Sequence, residues 1–216
     1  MLADAPWSLH SAVEPPRPEA AQAYPYRGAG RLSLSVHPHG ADQRAGVEAF
    51  ICEVYRACYR AHLRTLAPTL VALRSGDEIV AAAGYRSARQ ALFLERYLHA
   101  PVEQCLYQAS GHAPPRARVV EVGHLASTRN GAGRLLMPLL GAHLAVEGYE
   151  WVVSTATEEL HHLFRRLGLT PLVLGTADPG ALGRDAADWG SYYEHHPRVL
   201  AGNIASGMAR LARGRK

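Results

Sequence analysis

Between Val119 and Thr157 the spacing of apolar residues changes from two to the helical repeat and back to two. Residues 119–127 (VVEVGHLAS) read as a strand and 128–134 (TRNGAGR) as a glycine-bearing turn. Residues 135–149 (LLMPLLGAHLAVEGY) read as a helix, with Pro138 in its first turn where proline is tolerated. Residues 149–157 (YEWVVSTAT) return to a strand. A strand–loop–helix–strand unit, set among other strands and helices, predicts an α/β sandwich on a mixed central sheet.

The flanking segments fit that frame. Leu32, Leu34 and Val36 alternate with polar residues, which predicts a strand over 31–36. Val47, Phe50, Ile51, Val54, Tyr55, Cys58 and Leu63 recur at helical spacing, which predicts an amphipathic helix over 47–63. Residues 69–86 read as a hairpin turning at Ser75-Gly76-Asp77. Residues 92–111 read as two helical pieces broken near Pro101, 158–169 as a short helix ended by Gly168, and 171–175 as a last strand. The proline-rich stretch 1–28 is expected to be a poorly ordered leader, 29–205 the folded domain, and 206–216 a basic, frayed tail. That tail can touch an acidic partner or anionic lipid, a peripheral membrane contact.

Charge and composition exclude several classes. Of 23 basic residues, 22 are arginine, a side chain whose planar fork suits phosphate and carboxylate groups. The net charge of +4 favours acidic partners, but no basic run is interleaved with aromatics, so no nucleic acid is expected as partner. Three cysteines cannot build a disulfide scaffold. The apolar runs fall short of a transmembrane segment, and no basic region precedes an apolar one at the start, so the expected compartment is the cytoplasm. His161-His162 and His195-His196 are adjacent pairs that point apart in either periodicity, so no metal is expected.

A glycine loop ahead of a helix exposes backbone N–H groups that can hold a phosphate. Here it contains Arg129, Asn130, Gly131, Gly133 and Arg134. Followed by WVVSTAT and LFRRLGL, this stretch resembles the acyl-carrier-binding half of the GNAT acyltransferase fold. The resemblance implies two splayed parallel strands with the pantetheine arm of acyl-CoA or acyl-carrier protein between them. Main-chain groups of Val122, Gly123, His124, Leu125, Ala126 and Ser127 would hold that arm and the thioester oxygen, and the loop would grip its phosphate. Two departures are visible: the loop motif begins on Thr128, and the position of the usual thiolate-protonating tyrosine falls on Phe164. EVGHLA (121–126) and AAAGYRSA…LFLERYL (81–98) are similar to strands of acyl-homoserine-lactone autoinducer synthases, which places Glu121 and Arg86 at important positions. VYRACYRAHL, GYRSA, LFLERYL, EVGHLAS, STAT, LFRRLGL, TADP and WGSYY, in this order over roughly 30–205, resemble the thermostable hemolysin family.

Roles follow from position. A carboxylate in an apolar strand is desolvated and can serve as a base, so Glu121 is the candidate to deprotonate an amine; the alternative is a structural ion pair with an arginine. Arg86, ending an apolar strand, can bind a substrate carboxylate or pair with Glu121. Strand alternation puts His124 on the opposite face from Glu121, as a packed core histidine. Glu95 and Arg96 are weaker candidates for the acceptor pocket. Ser154, Thr155 and Thr157 offer hydroxyls to an acyl chain or thioester, and Trp189, Tyr192 and Tyr193 can wall the acceptor. Arg116, Arg118, Arg129 and Arg134 are placed to meet an acidic carrier protein. The expected activity is N-acyl transfer from acyl-carrier protein or acyl-CoA to a small amine, with no permanently bound cofactor. The alternatives are a membrane-active lytic protein and a non-catalytic carrier-binding module.

Overall fold

The hairpin expected over 69–86 seeds the sheet. In the computed structural model, which describes residues 32–128 and 131–213, β2 (Thr69–Ser75) and β3 (Glu78–Ser87) pair antiparallel around Gly76. Gly76 has φ +62°, a conformation open to glycine without steric cost. β1 (Leu32–Pro38) adds to β2, and β4 (Val119–Ser127) adds to β3, both antiparallel. β5 (Trp151–Ala156) lies parallel to β4. β7 (Arg198–Asn203) then inserts between β5 and β6 (Leu172–Thr176), giving the seven-strand order β1-β2-β3-β4-β5-β7-β6. The expected mixed sheet flanked by helices is present.

Both faces are covered. On one, Leu136, Leu140 and Leu144 of α3 (Ala132–Val146) and Ile204 of α5 (Ile204–Arg213) pack on Leu34, Val71, Leu73, Val120 and Val122. On the other, Val47, Ile51 and Tyr55 of α1 (Arg44–Tyr59) pack on Leu70, Ala72 and Ala82. α2 (Val102–Ser110) covers the far half of that second face, where Val102 and Leu106 meet Val119, Val153, Val199 and Ala201. β2 therefore buries alternate residues on opposite sides, which is why it reads as a continuous apolar run. Each such fully buried leucine or valine contributes about 1.5–3 kcal/mol.

Several boundaries differ from the sequence reading. α3 starts at Ala132 rather than 135, which carries Pro138 past its first turn. α1 starts at Arg44, whose buried guanidinium donates to the carbonyls of His37, Ala67 and Pro68 and to Glu48. It ends at Tyr59 rather than 63, because Arg60 turns left-handed at φ +58°. The tail is helical over Ile204–Arg213, and Met208 packs against Gly141 of α3, so this stretch is not frayed. The leader 1–28 and residues 214–216 lie outside the described residues.

Candidate active site

β4 is where the sheet opens. It pairs with β5 at only three positions, Val119↔Trp151, Val120↔Val152 and Glu121↔Val153, although both strands continue beyond. β5 stays paired with β7 along its whole length, so the strands part as a wedge and leave the β5-facing edge of β4 without a strand partner after Glu121 among the described residues. On the other side β4 carries a bulge: two steps along β3 (Ala82 to Gly84) match three along β4 (Ala126 to Gly123). Within it His124 has φ +53°.

The bulge reverses the alternation of the strand. Val120 and Val122 face α3, but Ala126 faces α1. His124 consequently does not point away from Glu121, as unbroken alternation predicts. Both residues line one cavity of about 360 Å³. A second cavity, of about 300 Å³, occupies the wedge between Gly123–Ser127 and Thr155–Thr157, with Gly133 of α3 and Leu160 and Arg166 of α4 (Glu158–Arg166) at its sides. Tyr55, Gly123, His124, Thr155 and Tyr192 line both, so the cavities share a wall.

The first cavity is aromatic and charged. Trp189, Tyr192 and Tyr193 line it, together with Phe93, Tyr97, Tyr55 and the polar groups of Arg64, Arg86, Arg96, Asp185 and Asp188. Trp189 and Tyr192 have centroids 5.3 Å apart, the Tyr97 and Tyr193 hydroxyls are 2.5 Å apart, and the Tyr192 hydroxyl donates to the Thr155 carbonyl at 3.1 Å. Glu121 is 9% exposed, and its carboxylate accepts the backbone N–H groups of Phe93 (2.8 Å) and Leu94 (3.0 Å). Burial pushes its carboxyl above the usual range, against the pull of those N–H groups and of the Arg86 charge. Arg86 stands opposite Glu121 in the β3–β4 register and donates to the Ala91 carbonyl at 3.2 Å. The sheet register brings this expected pair together.

The sequence profile of the family described as Thermostable hemolysin matches residues 37–208. The chain belongs to the thermostable hemolysin family. No curated protein matches the sequence. Three solved structures share the fold of this thermostable hemolysin family member. FeeM, an N-acyl amino acid synthase from uncultured soil microbes, is 13% identical with a TM-score of 0.57, over 87% of this chain and 97% of that one. The acyl-homoserine-lactone synthase LasI is 11% identical with a TM-score of 0.53, over 80% and 89%. MesI, a CoA-dependent acyl-homoserine lactone synthase, is 13% identical with a TM-score of 0.50, over 84% and 94%.

Other expected site residues of this family member sit elsewhere. Glu95 does not line the aromatic cavity: it accepts two hydrogen bonds from Arg116 (2.6 and 2.8 Å) and the N–H groups of Leu92 and Val102. Arg116 also binds Glu103, and Arg118 binds Glu150, so acids of the chain itself already pair two of the four arginines expected to meet a carrier protein. Thr157 caps α4, its hydroxyl accepting the Leu160 N–H at 3.4 Å, while lining the wedge. Ser154 points to the opposite face from Thr155, into an apolar groove of about 370 Å³ between the sheet, α3 and α5. Phe164 lies in that groove, not in the wedge. Leu125 borders the groove and the wedge, and Val122 borders the groove and the aromatic cavity. Gly131 is the N-cap of α3 at φ +89°, and the Arg134 side chain is exposed. Arg129 and Asn130 lie outside the described residues. Sequence reading missed Tyr55, which its helical period marked only as core, and Asp185 and Asp188, which carry no local pattern.

Proposed function

We propose that this protein is an N-acyltransferase that moves a fatty acyl group from a phosphopantetheine thioester to the amine of a small polar metabolite or amino acid. The observation that carries this is the meeting of three cavities at the β4 bulge. The wedge fits the pantetheine arm, whose amides can pair with the unpartnered edge of β4. The apolar groove fits the acyl chain: its lining is dominated by Met137, Leu140, Leu144, Leu211 and similar side chains, and its volume falls within the ligand-site range of about 300–1,000 Å³. The aromatic cavity fits the acceptor, with Arg86 for a carboxylate.

In this reading the amine nitrogen attacks the thioester carbonyl carbon beside Gly123, where β4 main-chain N–H groups stabilise the developing oxyanion. The carbon–sulfur bond breaks, and the thiol remains in the wedge. Glu121 keeps the 93–94 turn and its aromatic wall in place and offers a carboxylate to the incoming amine. The names of FeeM as an N-acyl amino acid synthase and MesI as a CoA-dependent synthase support the reaction class. Carrier protein and CoA share the phosphopantetheine arm, and both would place the enzyme in the cytoplasm. A long-chain N-acyl product is a detergent, which reconciles transfer chemistry with the family's name.

The test is release of free thiol from decanoyl-CoA and from decanoyl-carrier protein, with each of the common amino acids as acceptor. Amine-dependent release is expected from one donor. Absence of release from both, with leakage of phospholipid vesicles by the protein alone, would replace this reading with direct membrane action.

A further inference from the structure

We propose that His124 is a catalytic residue of this transfer, taking the proton from the attacking amine and delivering it to the departing thiolate. The inference rests on the acyl-transfer reading above. Three observations at the junction of the wedge and the acceptor cavity carry it.

The first is position. His124 is one of five residues lining both cavities, so it stands between the space of the amine and that of the thiol. The second is the backbone. A histidine at φ +53° inside a bulge occupies a conformation that favours glycine, and such strain persists where the side chain's placement matters. The third is an unmet polar atom. His124 Nδ1 is buried without a hydrogen-bond partner among the described residues, packed into the space that Gly84 leaves open. A β-carbon at position 84 would lie 3.3 Å from that nitrogen. Across the junction, Thr155 Oγ1 is also buried and unpartnered, and Thr155 lines both cavities as well. Two orphan polar atoms on residues that line one passage are unusual in a folded interior, where such groups are normally paired.

The alternatives at this point are occupied. Each Glu121 oxygen already accepts a backbone N–H group, so its carboxylate clamps residues 93–94 and has only its remaining lone pairs to orient the amine. The Tyr192 hydroxyl is committed to the Thr155 carbonyl, and Phe164 has no hydroxyl and lies in the groove. With Nδ1 sealed against Gly84, Nε2 is the nitrogen able to exchange a proton with a ligand. As the carbon–nitrogen bond forms, the amine nitrogen becomes cationic and acidic and passes its proton to Nε2. The carbon–sulfur bond then breaks, Nε2 returns the proton to sulfur, and the products are one amide and one thiol with a neutral imidazole. Burial, aided by the Arg86 charge, pulls the imidazole down to about 4, which makes it a weak base that takes the proton only once the nitrogen has become cationic, and a ready acid for the thiolate.

The experiment uses the full chain, decanoyl-CoA or decanoyl-carrier protein as donor, and hydroxylamine as a minimal amine, with thiol release corrected for the uncatalysed rate. His124→Asn and His124→Gly both tolerate a positive φ and are expected to fold. Each should lower kcat by about 100-fold or more while leaving KM for the donor within about twofold, the scale of a lost proton-transfer group. Free imidazole should restore part of the turnover of His124→Gly and none of that of His124→Asn. If the unchanged protein turns over and both variants keep kcat within about threefold, the role of His124 falls and the transfer reading stands. Loss of turnover without imidazole rescue and with a raised donor KM also overturns it, in favour of a packing role. If the unchanged protein releases no thiol from either donor with hydroxylamine or any amino acid, both readings fall together.

Discussion

Gly183 and Gly190 flank the segment that delivers Trp189 to the aromatic cavity, and they form a matched pair. Their backbones nearly coincide, at φ +56°, ψ −125° and φ +53°, ψ −127°. A β-carbon at Gly183 meets nothing within 4 Å. At Gly190 it would run into the carbonyl oxygen of Tyr59 and sit 2.9 Å from the carbonyl carbon of Arg60. That oxygen is not free to retreat, because it ends α1 and accepts both the Ser191 N–H (2.8 Å) and the Ser191 hydroxyl (3.3 Å). Gly183→Ala therefore costs backbone strain alone, about 1–3 kcal/mol. Gly190→Ala costs the same strain plus overpacking of about 1–3 kcal/mol. At about 2–4 °C per kcal/mol for a chain of this size, Tm falls by about 4 °C in the first variant and about 10 °C in the second. Thermal unfolding followed by far-ultraviolet circular dichroism measures both. If the two variants melt within about 1 °C of each other, the carbonyl contact does not govern this corner.

Two further outcomes test the packing described above. Ser154→Ala removes a buried hydroxyl that has no partner among the described residues and lines an apolar groove, so it should raise stability by about 1 kcal/mol, read in urea titrations; a loss would reveal a hydrogen bond for that oxygen. Arg116 holds the Glu95 carboxyl below the usual carboxylate range, against the effect of burial. The folded state thus binds this proton less readily than the unfolded chain, so the stabilisation is complete above the ordinary carboxylate value and is lost as pH falls through the folded one. Arg116→Met should cost about 1–2 kcal/mol at neutral pH, discounted for partial exposure, and much less near pH 3. Equal losses at both pH values would refute the linkage.

Much of the fold was legible because it is written locally. The Ser75-Gly76-Asp77 turn gave the hairpin, the period of Val47, Ile51 and Tyr55 gave the helix, and the run from Val119 to Thr157 gave the unit that opens the sheet. What stayed hidden depends on partners distant in the chain. The face of His124 is set by a register shift against β3, which no alternation rule anticipates. Glu95 looked like a free acid until Arg116, 21 residues on, folded onto it. Arg44 carries no apolar signal, yet it is buried because three carbonyls converge on its guanidinium. The reach of Asp185 and Asp188 into the aromatic cavity depends on the 3-10 helical stretch Pro179–Trp189 folding back over the α1 end of the sheet.

The wedge has a consequence of topology. A tunnel must be threaded, so its traffic is limited to objects narrower than its bore. A cleft that opens between two diverging strands is entered sideways and stays open at one end. A cargo tethered to a body far larger than the cavity can be served there, since only the tether has to slip between the strands while the bulk rests outside.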